Sequence, residues 1–201
     1  MPRTARIVIP NVPYHVTQRS VDREQVFRDN ADCKTYLSLL RNYAMRHRVK
    51  VASYCLMPNH IHLVLVPSDK PGLSKAVGRA HNLFSQRINH KYDRVGHLWQ
   101  NRFFSCPVMD NHLWEALRYV EQNPLRAKMV RHASDFRWSS AAAHCGGSDE
   151  LRILDWAWWN ARMVPETWRI LLGEPIGEEM LEQIRHCTFR NEVLGEEPDG
   201  E

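Results

Sequence analysis

Two histidines separated by one isoleucine, His60-Ile61-His62, carry the clearest chemical reading in this chain. They open the apolar, β-branched run Ile61-His62-Leu63-Val64-Leu65-Val66, which reads as a strand fed by a Pro58-Asn59 turn. Residues two apart on a strand point to one face. His60 and His62 therefore project side by side, and Ile61 points the other way. A pair of neutral imidazoles is half of a divalent-metal site. The plain alternative is two solvated or hydrogen-bonded histidines at a strand start, but a His-apolar-His pair on an inner strand favours the metal.

A second group stands at Tyr119-Val120-Glu121-Gln122-Asn123-Pro124. Tyr119 and Asn123 are four apart and share a helix face, while Pro124 is expected to end or kink the helix at Asn123. A tyrosine hydroxyl, with a pKa of ~10, is a weak nucleophile at neutral pH. It becomes useful against a phosphodiester where a metal stabilises the developing charge. An amide oxygen from Asn123 would complete a His-His-amide set for Mg²⁺ or Mn²⁺. From spacing alone, a core tyrosine and a helix-capping asparagine are the stronger reading.

Periodicity supplies the elements that would hold these groups. Residues 14–19 alternate as a first strand. Asp29 or Asn30 caps a helix to about residue 47, with Tyr36, Leu39, Leu40 and Tyr43 at helical spacing. Residues 49–56 form a second strand, hairpinned to the histidine strand. A second helix over 73–92 has Leu73, Val77, Ala80, Leu83, Phe84 and Ile88 as its apolar stripe. A fourth strand follows over 103–109, then a third helix capped by Asp110 or Asn111. The first six elements match the split βαβ, ferredoxin-like plan, with the histidine strand central. The expected class is α+β: an antiparallel sheet with a mostly helical C-terminal extension. Gly146-Gly147-Ser148 reads as a linker, dividing a domain over 1–145 from a Trp-rich, acidic extension over 146–201. Its polar end, 195–201, is expected to be disordered.

Composition bounds the function classes. Hydrophobic content of 43% and charged content of 25% fit a soluble globular protein. No apolar run approaches the ~20 residues that span a bilayer. The N-terminal stretch is short and broken by Pro10 and Pro13, unlike a signal peptide, so a cytoplasmic location is expected. The cysteines, Cys33, Cys55, Cys106, Cys145 and Cys187, form no CxxC pair, which argues against a disulfide framework or a zinc ribbon. The net charge of +4 conceals an asymmetry. Residues 1–137 carry 22 basic against 10 acidic side chains, and residues 138–201 carry 5 against 13. A basic body of +12 before a tail of −8 suits a polyanion partner.

Five segments in order resemble the bacterial REP-associated tyrosine transposases, a branch of the single-tyrosine HUH transposases. They are Tyr14-His15-Val16-Thr17-Gln18-Arg19, Cys55-Leu56-Met57-Pro58-Asn59-His60-Ile61-His62-Leu63, Leu98-Trp99-Gln100-Asn101-Arg102-Phe103, Tyr119-Val120-Glu121-Gln122-Asn123-Pro124-Leu125-Arg126-Ala127 and Trp138-Ser139-Ser140. The resemblance implies an HUH fold with His60 and His62 as metal ligands and Tyr119 as nucleophile. The third ligand maps to Asn123, with Gln122 as the alternative. It also implies cleavage and rejoining of single-stranded DNA carrying short palindromic hairpins, through a 5′-phosphotyrosine link and without a small-molecule cofactor. The alternative is a hairpin-binding protein on the same fold that does not cut. Arg19, Arg23, Lys75, Arg79 and Arg102 are the expected backbone contacts, and Trp99 is a candidate for stacking on a base. Ser20 stands where the family usually has glycine. Related small transposases form dimers that exchange the tyrosine helix. Here the extension is expected to cap that surface and leave a monomer.

Overall fold

The structure, a computed structural model, describes residues 8–195. The arginines of the N-terminal stretch, Arg3 and Arg6, and most of the acidic end lie outside the described residues. Four strands form one antiparallel sheet in the order β2-β3-β1-β4: β1 (Tyr14–Arg19), β2 (Val49–Met57), β3 (His60–Pro67) and β4 (Phe104–Pro107). The fold is α+β with ferredoxin-like strand order, and the histidine strand is central.

Helices α1 (Asn30–Arg46) and α2 (Gly72–Lys91) cover one face of the sheet. Alternation along β3 sends Ile61, Leu63 and Leu65 into that layer, where they pack with Tyr36, Leu40, Val77 and Phe84. Asp29 caps α1 in a reciprocal box: its side chain accepts from the Asp32 amide at 2.9 Å, and Asp32 accepts from the Asp29 amide at 3.3 Å. Pro58-Asn59 is a two-residue hairpin turn with Met57 opposite His60. It is clamped from outside, because the Pro58 carbonyl accepts from the amides of Val26 (2.9 Å) and Phe27 (3.2 Å).

The other face holds His60, His62, Val64 and Val66. The remaining helices introduced in chain order are α3 (Leu113–Glu121), α4 (Asn123–Arg126), α5 (Ala141–His144), α6 (Trp156–Asn160), α7 (Pro165–Gly173) and α8 (Glu178–Arg190). Val64 and Val66 pack with Leu117 and Val120 of α3 and with Trp158, Trp159 and Trp168 of the extension. Helix α8 lies along β4, where Ile184 and Cys187 meet Cys106, Val108 and Tyr119. Around Gly146-Gly147 the chain turns back: the Gly147 amide closes α5 on the Ala142 carbonyl at 2.9 Å. Ile153 and Leu154 then join the core beneath α1 and α2.

Three local expectations are corrected. The fourth strand ends at Pro107, because Val108 bridges to Leu194 and the Met109 amide bonds the Leu194 carbonyl at 2.9 Å. That pairing keeps the chain extended through Met109, so Asp110–His112 is spent on a 3-10 turn. Helix α3 therefore starts at Leu113, and neither Asp110 nor Asn111 caps it. Finally, the helix does break ahead of Pro124, but at Gln122 rather than Asn123, and a new helix starts at once. Pro124 sits in the first turn of α4, where its missing N–H costs least. Among the described residues no helix is long and apolar enough to cross a membrane, and all five cysteines are free thiols.

Candidate active site

Antiparallel pairing of β1 with β3 sets Thr17 opposite His62 and Arg19 opposite His60. Directly opposed residues share a face, so β1 contributes His15, Thr17 and Arg19 to the surface that carries the histidine pair. The rings of His60 and His62 lie 5.1 Å apart, edge to face. From α3, the Tyr119 ring stands edge-on to His62 at 5.5 Å and to His15 at 5.3 Å. His60, His62, Tyr119, Asn123 and Arg19 line one cavity of about 260 Å³, together with Thr17, Gln18, Gln100, Asn101, Phe104 and, from α8, Arg185 and Phe189.

The imidazoles are held neutral. Burial, then the neighbouring Arg19, lowers His60 to about 4. Burial pushes His62 well below the usual 6.5, helped by His15, His60, Arg126 and Arg19 around it. His15 falls to about 3 from burial and the Arg126 charge. The His60 tautomer is also fixed. Asn59 donates its Nδ2 to the Arg23 carbonyl at 2.9 Å, which turns its Oδ1 toward His60 Nδ1, 2.7 Å away. An amide oxygen only accepts. His60 therefore carries its proton on Nδ1 and keeps a lone pair on Nε2.

At the start of α4, Asn123 donates Nδ2 to the carbonyls of Tyr119 (2.8 Å) and Val120 (3.3 Å). The Val120 carbonyl is the acceptor that Pro124 cannot serve, so the asparagine replaces the lost bond and keeps its Oδ1 for the cavity. Gln122 faces elsewhere. It is buried and gives Nε2 to the carbonyls of Leu172 (2.9 Å) and Glu174 (2.7 Å) in the extension. The Arg126 guanidinium lies 4.4 Å over the Tyr119 ring and donates to the Tyr119 carbonyl at 2.8 Å. Glu121, fully buried, accepts from Ser53, Ser140, His144 and Trp168, which ties the tyrosine helix to β2 and to the extension.

The cationic candidates divide. Arg19 reaches the cavity. Arg102 lines an adjoining cleft of about 520 Å³ with His81, His97 and Trp99, and Gln18 and Asn101 belong to both spaces. Trp99 is half-buried there, 5.0 Å from the His81 ring, whereas Phe103 is core. Lys75 and Arg79 lie farther off, in a groove with Tyr43, Arg46 and His47 between α1 and α2 that touches the Arg102 cleft at Asn82 and does not reach the cavity. Arg23 is exposed on its loop and enters the site only through the carbonyl that orients Asn59. Ser20 has φ −68° and ψ 157°, an extended geometry that needs no glycine, and its hydroxyl donates to the Glu24 carbonyl at 2.6 Å. The left-handed residues follow later, at Asp22 and Arg23.

Sequence reasoning missed His15, Arg126, Arg185 and Phe189. His15 was findable, since it is two residues before Thr17 and four before Arg19 on a central strand. Arg185 and Phe189 are one helical turn apart, but nothing in the chain tells which way α8 folds back.

The model of the family described as "Transposase IS200 like" matches residues 8–123. A solved REP-associated tyrosine transposase bound to a REP hairpin superposes with a TM-score of 0.60 at 15% identity, covering 73% of this chain and 86% of that one. A putative transposase from Deinococcus radiodurans is 21% identical with a TM-score of 0.39, covering 60% of this chain and 97% of that one. No curated protein matches the sequence. The family match spans more than half of the chain and includes both histidines, Tyr119 and Asn123, and the chain belongs to the IS200-like transposases.

Proposed function

We propose that this protein is a metal-dependent single-stranded DNA transposase or endonuclease that recognises palindromic hairpin DNA and cuts and rejoins it through Tyr119. One observation carries the reading: His60, His62, Tyr119 and Asn123, from separate stretches of the chain, line one cavity. The superposing transposase bound to a REP hairpin supports hairpin DNA as the partner.

The residues present fit a divalent ion. His60 is neutral with its Nε2 lone pair available, and Asn123 has its amide nitrogen spent and its oxygen uncommitted. His60, His62 and Asn123 would hold Mg²⁺ or Mn²⁺. Such an ion, when bound, supplies positive charge against the phosphate oxygens. The rest of the chemistry belongs to the chain. Tyr119 Oη attacks the scissile phosphorus, an O–P bond forms, and the bond to the 3′-oxygen breaks. The phenol loses a proton and the leaving 3′-oxygen gains one, so the step is proton-neutral. A DNA 3′-OH reverses it and joins new ends. Arg19 beside the cavity neutralises the strand, and the Arg102 cleft continues the path for unpaired nucleotides. In the monomer we propose, Tyr119 serves the histidines of its own chain.

The test uses oligonucleotides copied from palindromes that flank the gene. With Mn²⁺, wild type should give a covalent protein–DNA adduct on a denaturing gel, and Tyr119→Phe should bind equally but form none. Hairpin binding without an adduct in wild type would instead assign a non-cleaving hairpin-binding protein.

A further inference from the structure

His62 carries a question that His60 does not: which of its ring nitrogens holds the proton. Its Nδ1 lies 3.0 Å from His15 Nε2, and His15 Nδ1 lies 2.8 Å from Thr188 Oγ1 on α8. The rings of His15 and His62 are parallel within 5°. The direction of this chain is dictated at its far end. Thr188 Oγ1 is 2.6 Å from the Ile184 carbonyl, which can only accept, so the hydroxyl proton goes there. Toward His15 the threonine oxygen must then accept. Its second lone pair faces the Cys106 thiol at 3.3 Å, which fills its capacity. His15 therefore holds its proton on Nδ1 and, being neutral, offers the Nε2 lone pair. A nitrogen-to-nitrogen hydrogen bond needs one donor, and that donor is His62 Nδ1.

We propose that His15 and Thr188 are positioning residues that lock His62 as the Nδ1–H tautomer, leaving its Nε2 lone pair for a divalent cation. An outer partner that fixes tautomer and ring orientation is a general requirement of metal-bound histidine. In this chain it comes from two places distant in sequence, β1 and the extension. All the residues are buried: His15 is 1% exposed, His62 6% and Thr188 1%. The relay is thus shielded from bulk solvent. Without the threonine hydroxyl, His15 Nδ1–H loses its acceptor. The favourable arrangement then reverses: His15 donates from Nε2, His62 accepts at Nδ1, and His62 Nε2 carries a hydrogen that blocks coordination.

The inference rests on the proposed metal role of His60 and His62, and the experiment separates the two. Long-range ¹H–¹⁵N spectra of the metal-free full chain read each histidine tautomer directly. Wild type should show Nδ1–H for His15, His60 and His62. Thr188→Val, of equal size, should move His62 toward Nε2–H and weaken Mn²⁺ binding by about 10-fold or more, and Thr188→Ser should restore both. His15→Gln keeps a donor toward Thr188 and an acceptor toward His62, so it should keep the His62 tautomer if the valine variant fails to fold. An Nε2–H tautomer of His62 in wild type, or Mn²⁺ affinity and tautomer both unmoved by Thr188→Val, would overturn the proposal. A wild type that shows the expected tautomers but binds no Mn²⁺ would instead sink the metal reading alone.

Discussion

The Trp168 indole donates to Glu121 Oε2 at 2.8 Å, so the extension grips the tyrosine helix two residues after Tyr119. A buried carboxylate is tolerable only with its lone pairs answered. Here Ser53 and Ser140 answer from the β2 side, and His144, stacked 3.4 Å over Trp159, answers from α5. Trp168→Phe removes one charge-assisted bond and leaves a small void. It should destabilise the protein by about 2–4 kcal/mol, measured by guanidinium unfolding.

Asn123 and Gln122 should separate cleanly. Asn123→Ala removes the amide oxygen and the donor that covers the Val120 carbonyl. Cleavage should fall while some activity remains, because water can fill a vacant position on Mg²⁺ or Mn²⁺. Gln122→Ala should leave Mn²⁺ affinity intact and instead cost about 1–3 kcal/mol of stability, since it strands the Leu172 carbonyl and leaves Arg118 as the donor to the Glu174 carbonyl. Calorimetry with Mn²⁺ beside a denaturant melt checks both, and the opposite pattern would transfer the ligand role to Gln122.

His81 sets a pH dependence away from the cavity. Burial lowers it from 6.5 to about 3, and its Nε2 shares a hydrogen bond of 2.9 Å with the Tyr36 hydroxyl. The unfolded chain therefore takes up this proton first as pH falls. Stability is complete above about pH 6.5 and drains away as pH drops toward 3, with a slope of up to ~1.4 kcal/mol per pH unit from this one group. His81→Gln, which does not titrate there, should be less stable at pH 7 yet lose less stability between pH 6 and 4.5. Parallel unfolding curves for the two proteins would contradict this.

Salt should report which cations touch the strand. Each phosphate contact to single-stranded DNA contributes about 0.7 to the slope of log affinity against log salt. Arg19→Ala and Arg102→Ala should each flatten that slope by about this amount. The Lys75→Ala/Arg79→Ala double variant should change it less than either single variant, because these two residues line a groove that meets the adjoining cleft at Asn82 and does not reach the cavity.

The sheet was legible because its strands obey a two-residue alternation and its first helix announces itself with Asp29. The His60–His62 pair and the shared face of Tyr119 and Asn123 followed from the same periodicities. What stayed hidden depends on contacts between distant segments. The strand end at Pro107 is set by Leu194, the place of Gln122 is set by carbonyls at 172 and 174, and the partner of His15 arrives with α8. Pro124 announced the break after α3 but not that the same proline would open α4.

If Thr188 and His15 set the His62 tautomer as proposed, the position of Thr188 gives the chain a built-in order of maturation. Synthesis from the N-terminus delivers both histidines, the tyrosine and the amide long before α8 exists. Until that helix docks on β4, His15 has no fixed acceptor and the proton on His62 has no assigned place. A nascent chain, or one nicked within the extension, would hold each proposed site residue yet present a poorly oriented face to the proposed metal. Competence to cut DNA would then arrive last, after the tryptophan-lined layer has closed over the sheet.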